Sequence, residues 1–387
     1  MSEKPRALIL ASVASMIEQF NMNNIQLLLD NGYQVDVACN CKEGNTISDE
    51  RVQEMIRILS EKDVSVIHIP IPRKLSRIFD VITAYKQVKK LCNDKHYKLL
   101  HCHSPIGSVV ARLGAKNARK RYGTKVIYTA HGFHFYKGAP IQNWVFFYPV
   151  EKILSRITDV LITINKEDYA FAKRHMKAKQ IEYVPGIGVD VDKFRVDRDD
   201  RNVKRAEFNL SDKDIMIFSV GELNQNKNHE TIIKAIAKLQ NDNIHYFIAG
   251  IGERKEYLTA LANDLNVQLH LLGYRKDIPE LLNAADIFAF PSFREGLSVA
   301  LMEAMASGLP CVASKIRGNV DLIEETRGGC LYEPSDVTGF SEGISYFCRI
   351  DNPQIHIDAN QNRIQLFSSS MILKELIKIY EIGDVLC

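Results

Sequence analysis

The run Ile287-Phe288-Ala289-Phe290-Pro291-Ser292-Phe293-Arg294-Glu295-Gly296-Leu297-Ser298-Val299-Ala300-Leu301-Met302-Glu303-Ala304-Met305-Ala306-Ser307-Gly308-Leu309-Pro310-Cys311-Val312-Ala313 holds three elements in close succession. Ile287–Phe290 is a short apolar stretch stopped by a proline, which reads as a buried strand. Val299–Ser307 is rich in helix formers and is closed by Gly308. Pro310–Ala313 is apolar again. Short apolar strands alternating with helices make a parallel sheet covered on both faces. Working outward, the pattern predicts strands at Ile215–Val220, Ile244–Ala249 and Val267–Leu272. Between them it predicts helices at Glu230–Leu239, Lys255–Asn263 and Ile278–Asn283, with a closing helix at Met371–Ile382. The same alternation fills the N-terminal half. Its strands are Ala7–Ala11, Gln34–Cys39, Val64–Ile69, Leu99–His103, Lys125–Thr129, Asp159–Ile164 and Ile181–Val184, with helices at Asn21–Asp30, Ile78–Asn93 and Glu167–Met176. The rhythm breaks at Pro185-Gly186-Ile187-Gly188 and the charged run Asp190 to Lys213, as at a domain boundary. Two α/β units result, at 1–188 and 189–365, with a last helix in 366–387 expected to return to the first. Ligands of such folds bind at the carboxyl ends of the strands, and two units suggest a cleft between them.

Composition narrows the class. The 387 residues are 46 % hydrophobic and 25 % charged, with mean hydropathy -0.15. These values exclude a disordered, collagen-like or polytopic membrane protein, and no stretch of about 20 apolar residues could span a bilayer. Ala7–Ala11 reads as a first strand rather than a signal segment. The eight cysteines are scattered, as in a reduced cytoplasmic protein. Cys39/Cys41 and His101-Cys102-His103 lack zinc-finger spacing and sit at strand ends, so no metal is expected there. From Arg73 to Lys125 there are 14 Lys and Arg against 2 acids, a net +12 that leaves -9 for the rest of the chain. Solvated faces mix signs; a one-sided field attracts phosphate-rich ligands, nucleic acid or acidic lipid headgroups.

In the quoted run, Glu295 is expected at or just before the start of the helix, where a carboxylate suits the positive end of the dipole. The amides of Gly296, Leu297 and Ser298 would form an anion or hydroxyl site there. Glu303 follows eight residues on, about 12 Å along the axis and about 80° around it. A capped helix with a solvated Glu303 would show the same spacing.

Taken whole, the run resembles the glutamate–seven residues–glutamate signature of retaining glycosyltransferases of family 4, which have the GT-B fold of two Rossmann-like domains facing across a cleft. Ser219-Val220-Gly221-Glu222-Leu223 with Lys227-Asn228-His229 is similar to that family's glycine-turn and lysine motif. Gly250-Ile251-Gly252-Glu253-Arg254, Leu271-Leu272-Gly273-Tyr274-Arg275, and Gly318 to Ile323 with Gly328-Gly329 resemble its later turns. Thr129-Ala130-His131-Gly132-Phe133-His134 resembles its active-site histidine loop, and Gly188-Val189-Asp190 to Phe194 its interdomain junction. The resemblance covers essentially the whole chain and points to bacterial capsule and exopolysaccharide transferases.

The resemblance implies roles. Glu295 would hold donor-sugar hydroxyls and Glu303 the ribose. Lys227 would neutralise the departing diphosphate, His131 would face the donor sugar, and the Leu272–Arg275 loop would hold the base. The implied donor site is thus Gly221, Glu222, Lys227, Leu272, Arg275, Glu295, Gly296, Leu297, Ser298 and Glu303. Catalysis would rest on His131, Lys227 and Glu295 without a metal or other cofactor, and no residue stands out as a covalent nucleophile.

Two positions depart from the family. Glu222 replaces the usual arginine; either Arg294 or Arg317 substitutes, or Glu222 pairs with Lys227. The Ala11-Ser12-Val13-Ala14-Ser15 loop lacks a glycine pair. Asp190-Val191-Asp192 mimics a metal-binding Asp-x-Asp but follows the interdomain glycine rather than a nucleotide-binding strand. No Gly-x-x-x-x-Gly-Lys-Ser/Thr loop is present, which leaves an NTPase without support.

On the acceptor side stand Ser12, His103 and Trp144. The Gly138–Pro149 stretch around Trp144 is either a buried helix or an apolar rim meeting a membrane. Lys86, Lys89 and Lys90, at helical spacing, are candidates to face an anionic membrane. The expectation is a retaining, metal-independent transferase, peripheral at the cytoplasmic membrane face. It would move a sugar from a UDP-sugar to a lipid diphosphate-linked glycan, with no nucleic-acid partner. The alternatives are a UDP-sugar 2-epimerase-like enzyme and a non-catalytic nucleotide-sugar- or nucleic-acid-binding protein.

Overall fold

A computed structural model describes residues 4–73, 76–194, 198–350 and 353–381, with no account of the side chains of 198–200. Lys74 of the basic segment, Ile382 of the expected last helix and Cys387 lie outside the described residues. The chain forms two compact units, one of Met1–Ile187 with Ile372–Cys387 and one of Gly188–Met371.

The first unit holds β1 (Arg6–Val13), β2 (Gln34–Asn40), β3 (Ser65–His68), β4 (Leu99–His103), β5 (Lys125–Ala130), β6 (Val160–Thr163) and β7 (Gln180–Tyr183). They form a parallel sheet in the order β3-β2-β1-β4-β5-β6-β7. Strand alternation divides its core. Ala7, Ile9 and Ala11 face one layer of helices, while Leu8 and Leu10 face the other. The Ser369–Tyr380 helix joins the first layer through Ile372, Leu376, Ile379 and Tyr380. The opposite layer consists of Ile78–Lys95, Pro105–Tyr122, Ile141–Leu154 and Lys166–His175.

The second unit holds β8 (Ile215–Val220), β9 (Ile244–Ala249), β10 (Gln268–Gly273), β11 (Ile287–Phe290), β12 (Cys311–Ser314) and β13 (Gly329–Tyr332). They are parallel in the order β10-β9-β8-β11-β12-β13. Phe218 and Phe288 pair in register across β8 and β11 and are wholly buried in one core; Ile217 and Ile287 face the other. Full burial of each such side chain stabilises the unit by about 1.5–3 kcal/mol.

The strands agree with the pattern to within a residue or two, except that β13 was not read. Several helices were not read either. Asp49–Ser60 is polar on one face and is capped by Ser48, whose hydroxyl accepts from Arg51 N. Pro105–Tyr122 begins on a proline, which suits a first helical turn. Arg198–Glu207 lies inside the charged run that marks the domain boundary.

Candidate functional site

In a doubly wound sheet, ligands bind outside the carboxyl ends of the strands where the strand order reverses. In the second unit that point lies between β8 and β11, so the loops following those two strands decide the chemistry. Lys227 comes from the loop after β8 and Glu295 from the loop after β11, and Lys227 Nζ donates to Glu295 Oε1 at 2.8 Å. The ammonium also lies 4.9 Å from the centre of the Phe290 ring. Backbone contacts stitch the loops together. Phe293 N donates to Asn226 O (2.8 Å), Asn226 Nδ2 to Arg294 O (3.0 Å) and Asn228 Nδ2 to Pro291 O (3.0 Å). Gly221 makes room for the lysine stem, since a Cβ there would sit 3.0 Å from Lys227 Cε. Gly318, at φ +82, lets the loop after β12 lie on Gly296 O, 2.3 Å from where a Cβ would be.

The structure narrows three expectations. Of the two places expected for Glu295, at the helix start or just before it, the structure takes the second. The helix is Val299–Ala306, capped by Ser298 Oγ accepting from Leu301 N at 3.2 Å, so Glu295 lies in the preceding loop. Gly296, Leu297 and Ser298 are therefore loop and cap residues, and the axial offset drawn for Glu303 does not apply. Second, Glu222 makes no pair with Lys227; its carboxylate is exposed and accepts from Asn224 Nδ2 at 2.8 Å. Third, the Arg275 guanidinium is engaged by Asp277 and Glu207. Of the two arginines considered in place of Glu222, Arg294 is exposed, whereas Arg317 is buried with Nε donating to Glu295 O at 3.3 Å.

Glu303 lies inside the Val299–Ala306 helix, and burial pushes its carboxyl up to about 7 against the opposing pull of Lys193. A chain absent from the sequence reading backs the lysine loop: His229 Nδ1 bonds Tyr246 OH, which bonds Ser219 Oγ, which donates to Ala289 O. Burial, aided by Lys227, takes His229 down to about 3. Asp190 Oδ1 accepts from the backbone of Asp192 and Lys193, the work of a turn cap.

In the first unit the strand order reverses between β1 and β4. There Ser12 and Ser104 meet, Oγ to Oγ at 2.6 Å, and Ser12 Oγ accepts from Gly107 N at 3.1 Å. Ser104 has φ 65 and ψ 152, a conformation that glycine favours. Beside it, His103 Nδ1 lies 3.0 Å from His131 Nε2. His101 bonds Tyr380 OH and Thr129 Oγ1, each at 2.8 Å. Burial holds all three histidines low, His101 at about 3, His131 at about 4 and His103 well below its usual value, so all are neutral at pH 7.

Trp144 is no rim residue. It packs inward on Phe135, Tyr148 and Phe171. The outer side of its helix instead exposes Ile141 (75 %), Val145, Phe146 (66 %), Val150 and Ile153. Nor are the three lysines equivalent. Lys86 is exposed, Lys90 pairs with Asp94, and Lys89 is half-buried near the Tyr85 ring.

The family model for glycosyl transferases group 1 matches residues 200–363, and the model for glycosyl transferase 4-like proteins matches residues 8–165. The protein named glycosyltransferase EpsD of Bacillus subtilis (strain 168) is 35% identical over 88% of this chain and 86% of its own. The UDP-Gal:alpha-D-GlcNAc-diphosphoundecaprenol alpha-1,3-galactosyltransferase of Escherichia coli is 27% identical over 96% of this chain and 94% of its own. The crystal structure of Anabaena HepE in complex with UDP superposes with a TM-score of 0.77 at 18% identity, covering 97% of this chain and 99% of that one. Two parallel doubly wound units, both family models and the 35% identity to EpsD over most of both chains together make this chain a member of the group 1 and 4-like glycosyltransferases, with the GT-B fold.

Proposed function

We propose that this protein moves a sugar from a UDP-sugar to the glycan of a lipid-linked diphosphate during surface polysaccharide synthesis, with retained configuration and without a metal. The observation that carries the reading is the Lys227–Glu295 pair held at the β8/β11 switch point. When the bond from the anomeric carbon to the diphosphate oxygen breaks, negative charge grows on the diphosphate and positive charge on the sugar. A preorganised cation for the first and a carboxylate near the second lower that barrier. Lys227 would take the diphosphate, with Arg317 beside the same loop as the second cation. Glu295 would turn to the sugar hydroxyls and Glu303 to the ribose. His131 of the first unit would meet the sugar as a neutral imidazole. The acceptor hydroxyl would attack from the face the diphosphate leaves, its proton passing to the departing oxygen.

The donor and acceptor classes are supported by the names of the relatives: UDP-Gal and a diphosphoundecaprenol-linked sugar in the Escherichia coli enzyme, UDP in the HepE complex, and the exopolysaccharide transferase resemblance. Among the described residues no helix is long and apolar enough to cross a membrane. Peripheral attachment at the inner membrane face is supported by the basic segment and by the exposed apolar side of Ile141–Leu154.

The test is a panel of UDP-sugars with a polyprenyl-diphosphate-linked N-acetylhexosamine, with and without EDTA, the product anomer read by NMR. An α-linked product from an α-donor at an unchanged rate in EDTA is expected. Sugar release independent of acceptor would favour the epimerase-like reading. Loss in EDTA with rescue by magnesium or manganese would overturn metal independence.

A further inference from the structure

The first unit stacks three histidines, His101 and His103 buried and His131 partly so, and only His131 has a part in the reaction proposed above. His101 and His103 lie two apart on β4, on one side of the sheet, with ring centres 4.2 Å apart. His101 spends both nitrogens on Tyr380 and Thr129. His103 spends one: Nδ1 meets His131 Nε2, while its Nε2 is buried with no hydrogen-bond partner among the described residues. His103 and His131 border a cavity of about 20 Å³, whose wall also includes Phe20, Ile162, Ile372 and Leu376 and the polar Asn24 and Thr129.

That asymmetry fixes the proton. Both rings are neutral, so each carries one N–H. If His131 donated from Nε2, His103 would accept at Nδ1 and its own N–H would be left at Nε2 without a protein partner among the described residues. If His103 donates from Nδ1, only a lone pair is left there. Buried N–H groups without partners are rarer than under-used acceptors, which selects the second arrangement. We infer that His103 is a positioning residue that donates from Nδ1 to His131 Nε2, so that His131 keeps its proton on Nδ1 and offers an N–H, not a lone pair, to its substrate. His131 Nδ1 has no protein partner among the described residues, and the residue as a whole is only partly buried. Phe20 flanks the ring, at 5.6 Å between centres. His101, pinned by Tyr380 from the C-terminal helix, backs His103 in turn.

The inference rests on the proposed role of His131 for its consequence, but not for its first test. In ¹⁵N-histidine-labelled protein at pH 7.5, long-range ¹⁵N–¹H correlations report which nitrogen is protonated, with His131→Gln assigning the signal. The expected pattern for His131 is the Nδ1–H tautomer; the Nε2–H tautomer overturns the inference, whatever the protein catalyses. The second test compares His103→Asn, which keeps a donor near Nδ1, with the near-isosteric His103→Asp, which offers only an acceptor and should flip His131 to Nε2–H. With the UDP-sugar selected by the panel, His103→Asn is expected within about threefold of the parent kcat. His103→Asp should lose about tenfold or more, roughly one hydrogen bond's worth, with the acid limb of its pH profile moved upward as the carboxylate stabilises a charged His131. Equal activity of the two variants overturns the positioning role. If no UDP-sugar is turned over, the function reading fails while the tautomer assignment stands or falls by the spectrum.

Discussion

The two units place their switch points identically, between a first strand and the strand that reverses the order, yet close them with opposite chemistry. Between β1 and β4 two neutral hydroxyls, Ser12 and Ser104, share a bond, with neutral histidines alongside. Between β8 and β11 a lysine and a glutamate form an ion pair on an aromatic floor. Sheet topology therefore selects where a ligand can meet backbone and side chain, and the loops select what is done there. In the reaction proposed above, a departing diphosphate would meet the fixed ammonium of Lys227 in the second crevice.

The sharpest way to break the contrast is to remove its charge. Glu295→Gln keeps size and hydrogen bonding but removes the carboxylate, and Lys227→Met keeps the stem on Gly221 but removes the ammonium. Each should lower transfer by about 10²–10³ while circular dichroism stays unchanged. By contrast Ser12→Ala should cost about tenfold or less. Parent-like turnover in both charge variants would move the reaction away from β8 and β11.

Acid should separate the units next. His101, His103 and His131 have folded values below the unfolded 6.5, so folding of the first unit binds fewer protons than unfolding does. Their contribution is fully present above about pH 6.5 and is lost as pH falls toward about 4 and about 3. In the second unit, His229 acts the same way, but Glu303 opposes it. Its value is raised, so its contribution is present below about 4.5 and is lost as pH rises through about 7. The single tryptophan, Trp144, lies in the first unit, and its fluorescence follows that unit alone. Between pH 7 and pH 4.5 the Trp144 melting midpoint should fall by more than the midpoint of the UDP-stabilised transition. Equal shifts would show that the buried histidines do not govern the first unit.

A smaller perturbation aims at the hydroxyl pair. A Cβ on Gly107 would sit 2.7 Å from Ser104 Oγ and 3.0 Å from Ser12 Oγ. Gly107→Ala should therefore part the serines and destabilise the first unit by about 1–3 kcal/mol. Urea unfolding followed at Trp144 measures it; an unchanged midpoint would mean that the crevice accommodates a methyl group.

Much of this was legible in the residues, unevenly. Strands such as Ile215–Val220 and Ile287–Phe290 announce themselves because burial on both faces makes them continuously apolar. Helices such as Asp49–Ser60 and Arg198–Glu207 hide because half or more of their residues meet water. Lys227 and Glu295 were visible as motif residues, but their mutual bond was not, since 68 positions separate them and only the strand order brings their loops together. The start of the Val299–Ala306 helix was legible, but nothing in the spacing shows that Ser298 rather than Glu295 takes its cap. The His103–His131 contact has the same origin: it needs the register of β4 on β5, where His103 pairs with Thr129.

The outer surfaces extend the contrast between the units. On the first, the helix layer over Leu8 and Leu10 turns outward Phe79 (86 %), Ile78 and Ile82 on one helix and Ile141, Val145, Phe146 and Ile153 on another. The same layer carries Lys86, Lys116, Lys120 and Arg121, all exposed. Apolar side chains among unbalanced basic ones match an anionic bilayer surface, where rings and branched chains enter the interface and each cation adds about 1 kcal/mol. A second copy of the chain would bring like charge against like. Lys90 already has Asp94 as a counter-ion, so its charge is partly spent within the helix. The triple reversal of Lys86, Lys89 and Lys90 is therefore a weaker probe than Phe146→Ser with Ile141→Ser, which removes apolar area and leaves the charge alone. The serine pair should reduce sedimentation with vesicles containing acidic phospholipid by several-fold and slow transfer to a lipid-linked acceptor, while turnover on a water-soluble acceptor holds. Lys86→Glu should weaken binding by about fivefold, an effect that vanishes as salt shortens the Debye length to about 3 Å at 1 M. If the serine variant sediments like the parent but runs as a smaller species on size exclusion, the face joins two copies of the chain and the membrane assignment is wrong.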